Sequence, residues 1–350
     1  MPLEENTLLA PFTTFGIGGP ARWFLTAEHE DEIAGAAAWA QDRGIAMFVL
    51  GGGSNLLVSD AGFDGLILRV GLRGVEVNRD SGRMLYRAAA GEDWDHLVQR
   101  SVEDNCAGLE CMAGIPGTVG GTPVQNVGAY GQEVSSTIEH VRVFDLSAHA
   151  FVDFAGDECG FAYRRSRFNT VDRGRYVVTR VDYGLIEGGA PTLRYAELQK
   201  AFPVRSEPSL AEVAATVRRI RHGKGMLLVD GDPDCRSAGS FFKNPVVDEE
   251  QVRFVTSASG KEPPRFPAGP EPENAGRVKL PAAWLIEQAG FAKGYSRGAA
   301  GVSSRHTLAL INRGGAKAAD ILALAKEIRS AVEERFCIRL EMEPVLLGFS

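Results

Sequence analysis

Cysteine is scarce in this sequence, and none of the cysteines is spaced like a metal ligand or a redox pair. The 350 residues include five, an odd number without a C-x-x-C pair: Cys106, Cys111, Cys159, Cys235 and Cys337. This scatter argues against a disulfide framework and against a zinc site, and it is typical of reduced thiols in a cytosolic protein. The motif H-E-x-x-H is also absent. Metal and hydrolytic chemistry therefore have little support, and we predict no metal site.

Positive charge is in the minority, and long apolar runs are lacking. Lys and Arg number 38 against 45 Asp and Glu, so the formal net charge is −7, and a broad nucleic-acid surface is not expected. No apolar stretch reaches the length of a membrane span, and the N-terminal MPLEENTLLAPF has acids where a signal peptide has bases. We therefore expect a cytoplasmic protein without nucleic-acid or membrane partners, and no feature indicates an obligate protein partner.

Glycine, in contrast, is concentrated in two segments. The long glycine segment, residues 111–131, reads CMAGIPGTVGGTPVQNVGAYG, and the short glycine segment, residues 51–57, reads GGGSNLL after an apolar run. Glycine lets a backbone approach a ligand closely, and the backbone N–H groups of such loops can point at an anion. Neither segment matches a P-loop or a G-x-G-x-x-G that opens a helix. One glycine loop alone is usually a tight turn, but two together favour a dinucleotide with its phosphate bridge.

Hydrophobic periodicity predicts a mixed α+β fold. Helical spacing covers residues 28–43, 94–105, 209–221, 282–289 and 317–336, and Ser209 with Glu212 forms an S-x-x-E capping box. Strand-like runs cover residues 45–50, 83–90, 138–146, 151–154, 176–183, 308–312 and 338–347. Residues 12–24, broken by glycine and proline, are predicted to be a turn-rich lead-in. Residues 261–278, rich in Pro, Gly and Glu, are predicted to be a surface loop or lid.

Three further motifs follow the glycine segments along the chain. They are YRRSRF at 163–168, GSFFKNP at 239–245 and LEMEP at 340–344. In this order, the five segments resemble the UDP-N-acetylenolpyruvoylglucosamine reductases, flavoenzymes that make UDP-N-acetylmuramate for bacterial peptidoglycan. The glycine segments alone indicate only the wider class of FAD proteins of the vanillyl-alcohol-oxidase type, and the later motifs narrow it to the reductases. The resemblance runs from about Phe12 to Gly348.

The resemblance implies an FAD-binding region of the vanillyl-alcohol-oxidase (PCMH) type over residues 1–205, with two α+β subdomains. A C-terminal α+β domain over residues 206–350 would bind the substrate, and its last strand could return to the FAD region. The implied cofactor is FAD, with NADPH as co-substrate. We expect the FAD to be non-covalent, because GGGSNLL offers no His, Cys or Tyr for attachment. The predicted cofactor-binding residues are Gly51, Gly52, Gly53, Ser54, Asn55, Gly114, Ile115, Pro116, Gly117, Gly120, Gly121, Asn126, Gly128, Ala129, Tyr130 and Tyr163.

The resemblance assigns catalysis to Arg164, Ser240 and Glu343, and each residue also has a plainer interpretation. A guanidinium can hold a carboxylate by two bonds and stabilise enolate-like charge on it. The plainer interpretation of YRRSRF is an exposed basic turn, and we keep it for Arg165 and Arg167. In the family, the serine that matches Ser240 is a general acid, although a lone serine more often caps a turn. The glutamate that matches Glu343 is catalytic, although such a glutamate is more often on a solvated strand face.

The implied substrate is the enolpyruvyl ether of UDP-N-acetylglucosamine. Lys224 follows a basic helix end and matches a substrate ligand of the family, although basic residues at a helix C-terminus also stabilise the helix. Tyr195, Asn244 and His306 are the other predicted substrate-binding residues. Two alternative functions remain open: another FAD-dependent oxidoreductase or oxidase of the same fold, and a nucleotide-binding module without catalysis.

Overall fold

The chain folds into two compact units, each with its own hydrophobic core. A computed structural model describes residues 2–80, 82–203, 206–269 and 274–349. Unit 1 comprises Met1–Thr7, Ala21–Gly52 and Asp64–His222, and unit 2 comprises Leu8–Pro20, Gly53–Phe63 and Gly223–Ser350. The domain boundary predicted after Arg205 lies outside the described residues, and the predicted loop at 261–278 is described only in part.

Helices form where the hydrophobic spacing predicts them, and in two further places. The described helices are α1 (Glu30–Asp42), α2 (Trp94–Glu103), α3 (Ala196–Ala201), α4 (Leu210–Gly223), α5 (Glu249–Ser259), α6 (Ala282–Gln288) and α7 (Ala318–Phe336). The predicted capping box precedes α4: the Ser209 hydroxyl accepts from the Glu212 N–H at 3.2 Å, and the Ser209 N–H donates to the Glu212 carboxylate at 2.8 Å. Helices α3 and α5 are absent from the prediction. None of these described helices is both long and apolar enough to cross a membrane.

Most of the described strands are short, and they belong to several sheets. In chain order, those described are β1 (Glu4–Leu8), β2 (Pro20–Ala27), β3 (Met47–Leu50), β4 (Leu56–Val58), β5 (Phe63–Val70), β6 (Val75–Asp80), β7 (Arg83–Ala89), β8 (Cys106–Ala107), β9 (Gly128–Ala129), β10 (Gln132–Glu133), β11 (Ile138–Asp145), β12 (Ala150–Ala155), β13 (Tyr176–Glu187), β14 (Val246–Val247), β15 (Phe266–Pro267), β16 (Val278–Lys279), β17 (Ser296–Arg297), β18 (Ala300–Val302), β19 (Leu310–Asn312) and β20 (Val345–Leu347). The α+β prediction is confirmed.

The sheets divide between the units. In unit 1, one sheet has the order β1-β2-β5-β3, and an antiparallel sheet has the order β12-β11-β13-β7-β6, with β8 added on β13. In unit 2, the orders are β14-β16-β15 and β17-β18-β19, and β20 runs parallel to β4. The predicted lead-in at 12–24 is wrong at its end, because β2 already begins at Pro20.

The predicted strand at 338–347 is wrong over most of its length. Only β20 is a regular strand, and Met342 makes one isolated bridge with Phe242. Pro344 lies between the two pieces and has no N–H to donate, so it interrupts a continuous ladder. The LEMEP motif is therefore an extended loop rather than the interior of a strand.

The hydrophobic core of each unit includes residues from the loops that carry the motifs. The buried faces of α1 and α7 have the predicted spacing and include Ile33, Ala36, Ala37 and Ala40 in unit 1, and Ile321, Leu324, Ala325, Ile328 and Val332 in unit 2. Burying a Leu or Ile side chain contributes about 1.5–3 kcal/mol. Val119 of the long glycine segment is buried in the core of unit 1, and Phe241 and Phe242 of GSFFKNP are buried in the core of unit 2. The motif loops are thus anchored by apolar residues of their own.

Candidate active site

In unit 1, the first two glycines of the short glycine segment pack against the long glycine segment. A Cβ atom at Gly52 would lie 2.6 Å from the Cα of Gly117, and one at Gly51 would lie 2.9 Å from the hydroxyl oxygen of Thr118. Side chains at these two positions would push the segments apart. A Cβ atom at Gly121, by contrast, would meet no described atom within 4 Å. The loops are therefore in close contact at Gly51 and Gly52, whereas the space beside Gly121 is unoccupied by described atoms.

Helices α2 and α4 hold the start of the long glycine segment. The Gly114 N–H donates to the Asp95 carboxylate at 2.6 Å, and the Gly114 carbonyl accepts from Arg221 Nε at 3.0 Å. Asp95 also pairs with Arg218. Arg221 is 8% exposed, and this burial lowers the pKa of its guanidinium. Part of the basic end of α4 thus fixes the loop, a role that the sequence pattern does not reveal.

The YRRSRF turn is hydrogen-bonded to the long glycine segment. Arg164 Nη1 donates to the Gly128 carbonyl at 3.1 Å, across 36 positions of sequence. The Ser166 hydroxyl donates to the Val124 carbonyl at 2.6 Å. The guanidinium carbon of Arg164 lies 5.5 Å from the ring centre of Tyr163. The fold therefore brings the predicted catalytic arginine and its tyrosine neighbour to the predicted cofactor loop.

Three non-glycine residues of this cluster have left-handed backbone. The φ angles are 46° at Asn126, 49° at Tyr130 and 56° at Arg164. Such conformations cost about 1–3 kcal/mol each, and they concentrate at functional sites where the surrounding structure holds them. Asn126 is 1% exposed, and its amide donates to the Glu133 carboxylate at 2.9 Å and to the Ala162 carbonyl at 3.1 Å. Its side chain thus ties the loop to the YRRSRF turn.

Tyr130 and Tyr195 meet edge to face in the same unit. Their ring centres lie 5.3 Å apart at an interplanar angle of 88°. Tyr130 is 8% exposed, and burial raises its pKa to about 12, although the positive charge of Arg221 and a hydrogen bond with it oppose the shift. Tyr195 is 41% exposed, and partial burial raises its pKa as well. Both phenols therefore keep their protons at neutral pH and can donate hydrogen bonds.

The other two arginines of the YRRSRF turn differ from each other. Arg165 is exposed, as predicted. The prediction of an exposed side chain is wrong for Arg167, which is half-buried with its guanidinium carbon 4.0 Å from the ring centre of Phe154. Arg167 Nε also donates to the Asp172 carboxylate at 2.8 Å. Cation–π contact and ion pairing thus turn a surface arginine into a structural one.

In unit 2, the GSFFKNP and LEMEP motifs are joined backbone to backbone. The Glu343 N–H donates to the Phe241 carbonyl, and the Lys243 N–H donates to the Glu341 carbonyl, both at 2.9 Å. The side chains of Lys243 and Glu341 form an ion pair at 2.6 Å. Ser240 immediately precedes Phe241. The predicted acid and the predicted catalytic glutamate therefore lie on two segments whose backbones are hydrogen-bonded to each other.

The end of the short glycine segment lies beside the same motif. The Asn55 amide donates to the Glu343 carbonyl at 3.3 Å, and the Val345 N–H donates to the Asn55 carbonyl at 3.0 Å. A Cβ atom at Gly53, where φ is 61°, would overlap the Phe12 carbonyl oxygen. Glycine is therefore required at position 53, where the loop passes close to the Phe12 carbonyl.

The predicted substrate-binding residues of unit 2 lie in loops with defined anchors. The Asn244 amide oxygen accepts from the Ala282 N–H at 2.9 Å and so caps α6. The His306 N–H donates to the Ser303 hydroxyl at 3.2 Å. The Phe241 N–H donates to the Leu308 carbonyl at 2.8 Å, which links the histidine turn to the GSFFKNP loop. Lys224 and His306 are both half-buried.

The residues of the glycine segments fit a dinucleotide cofactor. Backbone N–H groups of packed glycine loops suit a pyrophosphate, and the loop surface is open at Gly121, where a Cβ would meet no described atom within 4 Å. The remaining predicted cofactor residues are half-buried along the same loops: Ser54, Ile115, Pro116, Gly117, Gly120, Gly128 and Ala129.

Comparison with known proteins gives a consistent result. A model described as "FAD binding domain" matches residues 21–149, and one described as "UDP-N-acetylenolpyruvoylglucosamine reductase, C-terminal domain" matches residues 232–347. The chain is 47% identical to the UDP-N-acetylenolpyruvoylglucosamine reductase of Streptomyces coelicolor, over 99% of this chain and 91% of that protein. It is 45% identical to the reductase of the same name from Thermobifida fusca, over 98% of both.

A solved structure extends the similarity to the whole fold. The crystal structure of UDP-N-acetylenolpyruvylglucosamine reductase from Thermus caldophilus matches with a TM-score of 0.68 and 28% sequence identity. The match covers 99% of this chain and 100% of that one.

Proposed function

Because the chain belongs to the family of UDP-N-acetylenolpyruvoylglucosamine reductases, we propose a role for each residue of its site in the reaction of that family. The protein is an FAD-dependent oxidoreductase of peptidoglycan precursor synthesis, with NADPH as co-substrate. It reduces the enolpyruvyl ether of UDP-N-acetylglucosamine to UDP-N-acetylmuramate. FAD, when bound, carries hydride from NADPH to the substrate.

The glycine segments hold the FAD. Their backbone N–H groups bind the pyrophosphate, and the contact between Gly52 and Gly117 fixes the spacing of the two loops. Tyr130, Tyr163 and the segments' small residues line the cofactor. Asn126 contributes by holding the loop to the YRRSRF turn, because the hydrogen bonds of its side-chain amide go to other protein groups.

Arg164 binds the carboxylate of the enolpyruvyl group. Its bond to the Gly128 carbonyl orients the guanidinium before the substrate arrives. When hydride reaches the methylene carbon, negative charge develops on the neighbouring carbon and its carboxylate. A guanidinium held in place stabilises this charge without having to reorganise. The strained backbone at Arg164 is consistent with a residue that is fixed for such a role.

Ser240 donates the proton that completes the reduction. A hydroxyl is a weak acid, and it becomes effective only beside a strongly basic carbon that forms during the reaction. Gly239, with φ of 70°, has no described atom within 4 Å of a Cβ position, so its backbone can be approached closely. Glu343, in its acid form, assists in stabilising the charge. The hydrogen bond from the Glu343 N–H to the Phe241 carbonyl is the observation that carries this part of the proposal.

The sugar nucleotide is bound by Tyr195, Lys224, Asn244 and His306. Lys224 supplies positive charge for the diphosphate, and Tyr195 offers a protonated phenol. Asn244 uses its amide oxygen to cap α6, so the orientation of the amide is fixed and its NH₂ group faces the other way. His306 adds a polar contact from a turn that is bonded to the GSFFKNP loop.

The Ser240→Ala variant tests the proposal. Stopped-flow absorbance separates bleaching of the bound flavin by NADPH from its return when the enolpyruvyl sugar is added. General acid catalysis contributes about 10²–10⁴-fold, so we expect the second step to slow by at least about 10²-fold while the first is nearly unchanged. Ser237→Ala is a matched control, because the Ser237 hydroxyl accepts from the Gly239 N–H in the same turn.

Two outcomes would contradict the role of Ser240. If the flavin absorbance of Ser240→Ala returns as fast as in the unchanged protein, the serine is not the acid. If both steps slow together, as a distorted turn would cause, the serine is structural. Ser237→Ala shows what distortion of this turn does by itself.

A further inference from the structure

A buried carboxylate joins two loops of unit 2 that carry proposed substrate ligands. The Asp234 side chain is 9% exposed. One of its oxygens accepts from the Ser304 N–H at 3.0 Å, and the other accepts from the Ser304 hydroxyl at 2.6 Å and from Arg305 Nε at 2.9 Å. A carboxylate buried with these partners is held in one position. None of these three residues belongs to a motif of the sequence.

Arg305 is shared between two aspartates. Its Nη2 group donates to the Asp232 carboxylate, while its Nε donates to Asp234. The Asp232 carboxylate also accepts from the Asp234 N–H at 3.0 Å. The positive charge of the guanidinium is thus balanced by two carboxylates. Arg305 thereby serves as a clamp between the segments at 232–234 and 303–306.

The clamp touches the backbone that follows Lys224. A Cβ atom at Gly225 would lie 3.0 Å from the Cβ of Asp234 and 3.2 Å from Nε of Arg305. Gly225 has a φ of 65°, which favours glycine in any case. The chain next to the proposed diphosphate ligand therefore rests directly on the ion pair, and a shift of the ion pair would move Lys224.

The same clamp sets the backbone of His306. Ser304 and Arg305, the two residues that precede His306, are bound to Asp234. The Ser303 hydroxyl accepts from the N–H groups of both Arg305 and His306, at 3.1 and 3.2 Å. The turn that presents the imidazole is therefore fixed through the aspartate.

We propose that Asp234, acting with Arg305, is a positioning residue that holds Lys224 and His306 ready for the anionic nucleoside diphosphate sugar. Loop side chains lose conformational freedom when they bind a ligand, and a loop that is ordered beforehand lowers this cost. The inference rests on the proposed roles of Lys224 and His306. It predicts that the ion pair governs affinity for the sugar nucleotide rather than loading of FAD.

The test compares Asp234→Asn with Asp60→Asn in the FAD-loaded enzyme. Asparagine keeps the shape of Asp234 and can still accept from Ser304, but it removes the charge that faces Arg305. A misplaced binding group can cost up to about 10²-fold, so we expect KM for the enolpyruvyl sugar to rise about 10- to 100-fold. We expect kcat at saturation and FAD content to be nearly unchanged.

Asp60 is a suitable control. It lies in unit 2, and its carboxylate accepts from the N–H groups of Ala318 and Ala319 at the start of α7, at 2.8 and 3.1 Å. Asp60→Asn should lower the unfolding temperature and leave KM unchanged. If Asp234→Asn does the same, the ion pair is merely structural and the inference is overturned.

A double-mutant cycle separates this inference from the proposed function. If Asp234 acts through Lys224, Asp234→Asn should raise KM less in a Lys224→Ala background than in the unchanged protein. If Lys224→Ala and His306→Ala both leave KM unchanged, the proposed ligand roles fail instead. If the two KM effects of Asp234→Asn and Lys224→Ala are independent, the positioning role fails. Should Asp234→Asn not fold, Arg305→Lys gives the same comparison, because an ammonium cannot bridge the two carboxylates in the same geometry.

Discussion

The side-chain amide of Asn55 donates to the backbone carbonyl of Glu343 at 3.3 Å, across 288 positions of sequence. On its other side, the Glu343 N–H donates to the carbonyl of Phe241, the neighbour of Ser240. The backbone of the proposed catalytic glutamate is therefore held between the short glycine segment and the GSFFKNP loop. A residue predicted to bind the cofactor thus also fixes a proposed catalytic group.

Replacing Asn55 by alanine should disturb the glutamate. Loss of a hydrogen bond of this kind costs about 0.5–1.5 kcal/mol, and we expect the FAD-loaded variant to return its flavin absorbance more slowly after the enolpyruvyl sugar is added. Asn312→Ala is the control, since Asn312 Nδ2 likewise donates to a distant carbonyl, that of Phe15, at 3.0 Å. An Asn55→Ala effect that persists in full in a Glu343→Gln background would show that Asn55 does not act through the glutamate.

Gly52→Ala should prevent FAD from binding. The added Cβ would meet Gly117 at 2.6 Å, so the two glycine segments would have to separate. We expect purified Gly52→Ala to contain little flavin, as measured by absorbance after acid release. Gly35→Ala provides the comparison, because a Cβ at Gly35, inside α1, would meet nothing within 4 Å. That control should keep its flavin and gain about 0.5–1 kcal/mol of stability.

The sequence predicts the parts of the fold that depend on local spacing. Helices α1, α2, α4, α6 and α7 have inward faces that repeat at helical intervals, and all of them form. Helix α5 is missed because its buried face consists of only two residues, Val252 and Val255. Its ends do carry a signal, since Asp248 caps the Gln251 N–H and Gly260 closes the helix with φ of 70°.

The site is predictable only where a motif marks it. The glycine segments and the later motifs can be found from residue type and order, but their supports are ordinary carboxylates without a local pattern. Asp95 is 19 positions from Gly114, and Asp234 is 70 positions from Ser304. Such partners are defined by the tertiary fold. The one local clue is that each of these aspartates lies close in sequence to a helix start or a turn.

The Asp145–Arg175 ion pair predicts loss of stability in acid. Arg175 donates to the Asp145 carboxylate at 2.7 Å, and this bond, helped by the N–H groups of Ser147 and Ala148, lowers the pKa of Asp145 to about 2. The folded pKa is below the unfolded value of about 3.9. The contribution to stability is therefore complete above about pH 4 and is lost as the pH falls through about 2.

Thermal unfolding of Asp145→Asn checks this prediction. The variant should unfold at a lower temperature than the unchanged protein at neutral pH, and the difference should shrink between about pH 4 and pH 2. Asp64→Asn is the control, because Asp64 pairs with Arg22 on the surface with 83% of its side chain exposed, and such pairs contribute little. A difference for Asp145→Asn that stays constant down to pH 2 would contradict the lowered pKa.

Glu110 should govern the position of Tyr195, although no motif includes it. Its carboxylate is 0% exposed and accepts from the Thr192 N–H and the Gly108 N–H, both at 2.8 Å, and from the Gln132 amide at 2.7 Å. Thr192 lies three residues before Tyr195, so these bonds tether the loop that carries the tyrosine.

Glu110→Gln is the informative substitution. The three donors are shared between the two carboxylate oxygens of Glu110, whereas glutamine has only one side-chain oxygen. Its own NH₂ group would face a donor, and leaving a buried donor unsatisfied costs about 1–3 kcal/mol. We expect a lower unfolding temperature and a higher KM for the enolpyruvyl sugar, with FAD content unchanged. Glu158→Gln is the control, since the Glu158 carboxylate accepts from the Ala155 N–H at 2.7 Å at an exposed position.

The decisive measurement is KM in a Tyr195→Ala background. There Glu110→Gln should add nothing further, and a full additional rise would show that the carboxylate acts elsewhere in the site.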